Sequence, residues 1–397
     1  MQQDHGGMDG AIREITEGRT RLLVPSGALE SEAPPRDTAF FNPRSAANRD
    51  ASTAAYAAHL DGFDGPPTML EPLAGVGARG LRAANETGAI RHIHINDINP
   101  KAVSLAGEAA ALNRLDAEIS FSNLEACRFL SNYATRGSRG AIVDIDPFGS
   151  PAPFFDCAVR SLMHGGLLSC TATDLQVLNG LFDEACQNRY GGMPTRGTTY
   201  GSETAIRIVL GCLRTVAARL GVSISPVFVS SDMHYYRMYA RIKVGHAGAA
   251  REEVGYATHC DACGGRWLGP HAERECRTCG SGTRRAGPLW RGPLFDEEFV
   301  SRMVQKAPHV GHARDGALRA RLERAREESA VQGTGLFYTL DEMASRTGVS
   351  PPSMAHVLQS LREAGYSASR TSLAPTGFRT DAPPDAARDV FRQAAVR

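Results

Sequence analysis

The sequence predicts an α/β fold, a mostly parallel sheet with a reversed last strand, followed by a smaller C-terminal α+β unit. Three observations predict it. From Thr68 to about Val244, short apolar runs alternate with amphipathic segments, the pattern of strands joined by crossover helices. The last two runs are linked only by residues 231–236, too few for a crossover helix, so they pair antiparallel. Beyond Val244 the chain turns to a cysteine cluster and charged helical stretches.

Taken in order, the first 35 residues set Leu22, Leu23 and Val24 among turn formers and end at Pro34 and Pro35. They read as an N-terminal hairpin or arm. Residues 36–60 carry FFNPRSAANRD and then an alanine-rich helix. Strands are expected at 68–72, 92–96, 118–122, 141–145, 167–172, 225–230 and 239–244. The helix expected at 202–220 places Ile206, Val209, Leu210, Leu213, Val216 and Ala217 on one face. A domain boundary is expected between 1–245 and 246–397. Within the second part, residues 246–291 hold clustered cysteines and 296–330 read as basic-acidic helix. Residues 335–380 look like a helix-turn-helix with a following strand pair.

Composition narrows the function classes. The 397 residues are 42% hydrophobic and 22% charged, enough apolar surface to exclude disorder. No run approaches the roughly 18 apolar residues of a membrane span, and the N-terminus lacks the apolar core of a secretory signal. A cytoplasmic protein with no membrane association is expected. Of 44 basic residues only Lys101, Lys243 and Lys306 are lysine. Arginine of that abundance suits phosphate and base recognition, and a GC-rich genome produces the same skew. Cys127, Cys157, Cys170, Cys186 and Cys212 are scattered singly and read as core thiols.

EPLAGVGARGLRAANE follows the first expected strand and carries Gly75, Gly77 and Gly80. Glycines there permit a tight turn and close backbone approach to a ligand. Asp97, 22 residues beyond Gly75, ends the second strand where a ribose would be held. The loop alone fits either a nicotinamide dinucleotide or S-adenosylmethionine. Glu71 at the first strand end favours the latter, since it would repel a pyrophosphate and suits a methionine amino group. With the reversed seventh strand, the outline resembles the Rossmann-like sheet of class I S-adenosylmethionine-dependent methyltransferases. Beyond the third strand, Glu125 and Ala126 occupy a position where an adenine edge can be read; Glu125 is equally suited to begin a helix.

The fourth strand ends in Asp146-Pro147-Phe148-Gly149, at the carboxyl edge where open α/β sheets bind ligands. An exocyclic nucleobase amine is a poor nucleophile, because its lone pair is delocalised into the ring. Two acceptors, the Asp146 carboxylate and the Pro147 carbonyl, can hold its hydrogens, and Phe148 offers a stacking face. Asp144 lies inside the strand, so Asp146 is the expected catalytic acid group, as base or as acceptor alone. Upstream, Phe40 and Phe41 before Asn42-Pro43-Arg44 can present an aromatic to a base. They also fit a capped helix start, with Asn42 or Asp37 as cap.

FFNPRSAANRD, EPLAGVGARG, INDINPKAV, VDIDPFGSP and SLAPTGFRTDAP, in this order from about Phe40 to Pro384, together resemble the tRNA guanine-26 N2-dimethyltransferase family of archaea and eukaryotes. The resemblance implies two methylations of guanine N2 in tRNA. Arg49, Arg79, Asp97, Glu125 and Ala126 would then contact S-adenosylmethionine, and Phe40, Asp146 and Phe148 would form the guanine pocket. Arg82, three residues from Arg79, is able to exchange roles with it. Phe41 stands where the family often has tyrosine, and Glu71 where aspartate is more usual. The alternatives are an N-methyltransferase of another guanine or an adenine, and a non-catalytic RNA-binding protein.

Cys260-x-x-Cys263 and Cys276-x-x-Cys279 read as a ribbon or knuckle for structural Zn2+. Gly264, Gly265 and Gly280 help each turn, four sulfurs leave no catalytic position, and His259 and His271 read as surface residues. Arg266, Arg274, Arg277, Arg284, Arg285 and Arg291 around the ribbon can face phosphates or be ordinary solvated charge. The same choice holds for Arg314, Arg319, Arg321, Arg324 and Arg326. The helical unit after them is winged-helix-like and either grips tRNA or packs on the catalytic domain. The expected partners are tRNA and S-adenosylmethionine, with no obligate protein partner.

Overall fold

A computed structural model describes residues 11–30, 39–245, 253–311, 316–331 and 335–396. Strands β1 (Ile12–Glu17) and β2 (Thr20–Pro25) form an N-terminal hairpin. The central sheet contains β3 (Thr68–Glu71), β4 (His92–Asn96), β5 (Glu118–Ser122), β6 (Gly140–Ile145), β7 (Leu162–Ala172), β8 (Val222–Ser231) and β9 (Tyr236–Val244). Its order is β5-β4-β3-β6-β7-β9-β8, parallel except for β9, which runs antiparallel to both neighbours. This is the expected class I methyltransferase outline. The reversal has the expected cause: the link from β8 to β9 is a tight turn in which Asp232 N–H donates to the Tyr235 carbonyl at 3.0 Å.

Strands β7, β8 and β9 are longer than their most apolar stretches suggest, because all three pair along most of their length. The order sends the carboxyl ends of β3, β4, β5 and β6 to one edge. Glu71, Asp97, Glu125 and Asp146 all lie at or just beyond these ends.

The helix Gly201–Arg219 buries both of its sides. Ile206, Val209, Leu210, Leu213 and Ala217 face apolar neighbours, as the periodicity predicts. Gly211 lets another strand approach, since a Cβ there would lie 2.9 Å from the Leu289 backbone. That strand belongs to a second sheet, β11-β10-β12, made of β10 (Val254–His259), β11 (Arg266–Gly269) and β12 (Arg284–Trp290). One apolar core therefore runs across residue 245, from the central sheet to Leu289, Phe299, Val300 and Met303. A separate core unites Tyr338, Met343, Val357, Leu361, Phe378 and Phe391. It belongs to a helix-turn-helix (Leu340–Thr347, Met354–Glu363) with a small sheet β13-β15-β14. These strands are β13 (Tyr338–Thr339), β14 (Ala368–Arg370) and β15 (Gly377–Thr380).

Several side chains sit differently from expectation. Arg266 faces no phosphate: it is buried, stacked between Tyr200 (4.6 Å) and Tyr338 (4.2 Å), and paired with Glu342. Arg379 similarly joins Glu203 at 2.9 Å and Glu328 at 2.5 Å. These buried pairs dock the winged-helix-like unit on the rest of the chain. Arg284 and Arg277 are held by Asp261 and Glu273. His259 is not a surface residue but lies 5% exposed beside Tyr200. Cys127 and Cys157 are half-buried and joined by a disulfide rather than being core thiols. Asp37 and Arg314 lie outside the described residues. Among the described residues, no helix is long and apolar enough to cross a membrane.

Candidate active site

The glycine loop links β3 to the helix Ala78–Thr87, and each glycine has a contact that demands it. Gly75 and Gly77 adopt left-handed backbone at φ +53 and +73. A Cβ on Gly75 would lie 2.5 Å from the Phe40 carbonyl oxygen, and one on Gly77 2.8 Å from Ala106. On Gly80 it would run into the Glu71 carboxylate, which instead accepts the Gly80 N–H at 3.0 Å. Asp97 accepts the Gly75 N–H at 2.7 Å and the Asn99 N–H at 2.9 Å, so its carboxylate is fixed against the loop.

Asn96 is a site residue the sequence reading missed. Fully buried, it donates to the Pro72 and Leu124 carbonyls, each at 2.9 Å, and accepts the Leu124 N–H at 3.0 Å. It thus ties the ends of β3, β4 and β5 into one wall. An amide side chain ending the strand directly before Asp97 was the available signal. Glu125 takes the helix-start role, accepting the Cys127 and Arg128 N–H groups at 3.0 and 2.8 Å. Ala126 is the first residue of that helix.

On the other side of the loop, the Phe40 carbonyl accepts the Val76 N–H at 3.2 Å. Its ring meets Phe148 edge-on, with centroids 4.5 Å apart and planes at 88°. Phe148 is 50% exposed, unusual for a large aromatic in a folded core. Asn42, two residues on, caps the short turn that follows, accepting the Arg44 N–H, and Phe40 is left facing the site. Phe41 instead is buried beneath Arg49. Beyond Asp146 and the buried Pro147, the Gly149 N–H donates to Thr173 Oγ1 at 2.7 Å and sets the turn.

Asp146 is a half-buried carboxylate paired with Arg79 Nη2. Burial raises its pKa, but Arg79 and Arg237 outweigh it and hold the group down at about 2. It is therefore ionised, and an acceptor only, at neutral pH. Arg79 Nη1 also donates to Asn48 Oδ1 at 2.9 Å and Ser52 Oγ at 2.6 Å. Arg82 does not share this role. It turns away to Glu17, Asp50 and Glu86. Arg49 makes a two-point pair with Glu17 of the hairpin at 2.6 and 2.5 Å.

The four clustered cysteines converge as their spacing predicts. Their sulfurs all lie within 4.8 Å of one another. Each pair ends in a left-handed glycine, Gly264 at φ +74 and Gly280 at φ +72. A tetrahedron with metal–sulfur bonds of about 2.3 Å has sulfurs about 3.8 Å apart, a size this cluster matches.

Glu71 shows the reverse electrostatics to Asp146. Burial and the neighbouring Asp144 push its carboxyl up to about 8, against the pull of Arg79. The folded chain then keeps a proton that the unfolded chain loses above the ordinary 4.5, so stability falls as pH rises from 4.5 to about 8. Glu71→Gln removes this titration. Its thermal midpoint is expected to drop less than that of the wild type between about pH 5 and about pH 8. Parallel midpoint curves would contradict the burial argument.

Comparisons with known proteins agree with this geometry. The family described as N2,N2-dimethylguanosine tRNA methyltransferase matches residues 18–392. A tRNA (guanine(26)-N(2))-dimethyltransferase of Methanosarcina barkeri is 32% identical over 395 residues, covering 96% of this chain and 98% of the relative. The Methanopyrus kandleri protein of the same description is 34% identical, covering 96% and 97%. Among solved structures, Trm1 from Pyrococcus horikoshii in complex with S-adenosyl-L-methionine superposes with a TM-score of 0.81. It is 28% identical, with 96% of this chain and 99% of that chain covered. With its sheet order, glycine loop and Asp-Pro-Phe-Gly turn in the expected places, the chain belongs to the N2,N2-dimethylguanosine tRNA methyltransferase family.

Proposed function

We propose that this chain transfers methyl groups from S-adenosylmethionine to the exocyclic N2 of guanosine 26 in tRNA, giving N2,N2-dimethylguanosine. The observation that carries this reading is the Asp146 carboxylate, ionised and held by Arg79, next to the edge-on pair Phe40–Phe148. The reading places the protein in the cytoplasm, with tRNA as substrate and no obligate protein partner.

S-adenosylmethionine, when bound, supplies an electrophilic methyl group. Glu71, Gly75, Gly77, Asp97, Glu125, Ala126 and Arg49 form the cofactor side, with Asp97 for the ribose hydroxyls and Ala126 for the adenine edge, beside Glu125, whose carboxylate also starts the helix. Arg79 stands between that side and the base pocket. The target guanine leaves its stack at a cost of a few kcal/mol and lies against Phe148, with Phe40 closing the pocket. Asp146 and the Pro147 carbonyl accept the amine hydrogens, which turns the nitrogen lone pair toward the methyl donor. A carboxylate with a pKa of about 2 does not deprotonate a neutral arylamine. Asp146 orients first and takes a proton only after transfer has made the nitrogen cationic.

The four cysteines hold a structural zinc that shapes the ribbon, with no open coordination position for catalysis. The ribbon and the winged-helix-like unit then form, within residues 246–397, the part of the chain that grips tRNA, and residues 1–245 the catalytic part.

The purified protein is expected to label unmodified tRNA transcript from methyl-tritiated S-adenosylmethionine. Asp146→Ala should abolish labelling while calorimetric cofactor binding persists. An unlabelled transcript would overturn the activity, and lost cofactor binding would show the aspartate misassigned. For the metal, elemental analysis should find about one zinc per chain, absent from Cys260→Ser/Cys263→Ser, whose cofactor affinity stays intact. A wild-type chain that cannot take up zinc would refute the site.

A further inference from the structure

The catalytic pocket uses Arg79 and Asp146, yet the most fully buried charges of the site lie beneath them. Asp144 on β6 is 1% exposed and Arg237 on β9 is 0% exposed. They are 93 residues apart in sequence. Strand register brings them together: Asp144 lies opposite Ser169 on β7, and Thr171 of the same strand lies opposite Arg237. With alternation along β7, both residues project on one face of three adjacent strands.

There Arg237 Nη2 pairs with Asp144 Oδ2, which also accepts the Tyr56 hydroxyl hydrogen. Arg237 Nη1 donates to Thr171 Oγ1 at 2.6 Å, and Nε to the Tyr239 hydroxyl at 3.3 Å. The other Asp144 oxygen lies 3.3 Å from Arg79 Nε. Arg79 in turn reaches Asp146 with Nη2. The charges alternate along the row Arg237, Asp144, Arg79, Asp146, and only the last is open to the pocket.

Resting on the methyltransferase reading above, we propose that Asp144 and Arg237 are positioning residues for methyl transfer, fixing the Arg79 fork so that it presents the Asp146 carboxylate to the substrate amine. The guanidinium is planar, so the two hydrogen bonds of Nη1 to Asn48 and Ser52, with the Asp144 charge beside Nε, leave one direction for Nη2. Without Asp144 the fork is free to pivot about Nη1, and the Asp146 oxygens move with it. Misplacing an orienting group by about 1 Å costs roughly a hundredfold in rate. Neither Asp144 nor Arg237 opens to the cofactor loop, so the rate is expected to fall far more than the affinity for S-adenosylmethionine.

The test compares the wild type with Asp144→Asn, Tyr56→Phe and the charge-neutral double variant Asp144→Asn/Arg237→Met. It reads the single-turnover rate on unmodified tRNA transcript, calorimetric S-adenosylmethionine affinity and the thermal midpoint. Asp144→Asn should lose roughly a hundredfold in rate with cofactor affinity within about twofold of wild type. Tyr56→Phe should show a smaller loss of rate in the same direction. The double variant should recover thermal midpoint relative to Asp144→Asn and remain slow. Rates that recover with the midpoint would overturn the relay, as would Tyr56→Phe and the double variant at wild-type rate, even if Asp144→Asn does not fold. An inactive wild type would overturn the enzymatic reading and the relay with it; active wild type with unimpaired variants overturns the relay alone.

Discussion

A carboxylate that holds a nucleobase amine has to remain ionised where water is scarce, and burial works against this by several kcal/mol per charge. Here the Asp146–Arg79 pair meets that constraint, and much of the catalytic part is arranged around it. Arg79 sits in the first turn of the helix that opens after the glycine loop. The loop must therefore turn tightly enough to start that helix directly below Asp146. Glycines provide the turn, and Glu71 clamps its far end by accepting the Gly80 N–H. A second arginine, Arg237, and a second aspartate, Asp144, keep the buried charges balanced.

The same geometry joins the two halves of the reaction. Phe40 meets the glycine loop through its carbonyl and Phe148 through its ring. On the proposed reading the cofactor cradle and the guanine pocket share this residue, so a shift of the loop reaches the aromatic pair. Asp97, fixed to Gly75 N–H, extends this coupling to the second strand. Farther away, Arg266 and Arg379 fix the C-terminal units to the rest of the chain with buried ion pairs.

Much of this was legible in the sequence because its signals are local. Alternating apolar runs mark the strands, a short link betrays the reversed β9, and motif spacing puts Gly75, Asp97 and Asp146 at strand ends. What escaped were relations between distant residues. Nothing near Arg237 announces that strand register will set it against Asp144. Arg266 carries the same charge as a phosphate-binding arginine, and only the tyrosines on either side of it in space show its structural role. Cys127 and Cys157 looked like isolated thiols because their proximity depends on how two helices pack. Arg79 and Arg82 were interchangeable by spacing, and separated only when the helix faced one toward Asp146 and the other toward Glu17.

The central claim is that this pocket methylates one amine of one nucleotide. Nucleoside mapping by mass spectrometry, on transcripts with guanosine or adenosine at position 26 incubated with protein and S-adenosylmethionine, tests it most directly. The account predicts N2,N2-dimethylguanosine at position 26 of the first transcript and no methylation of the second. A methyl group on a ring nitrogen, on adenosine, or at another position alone would contradict it.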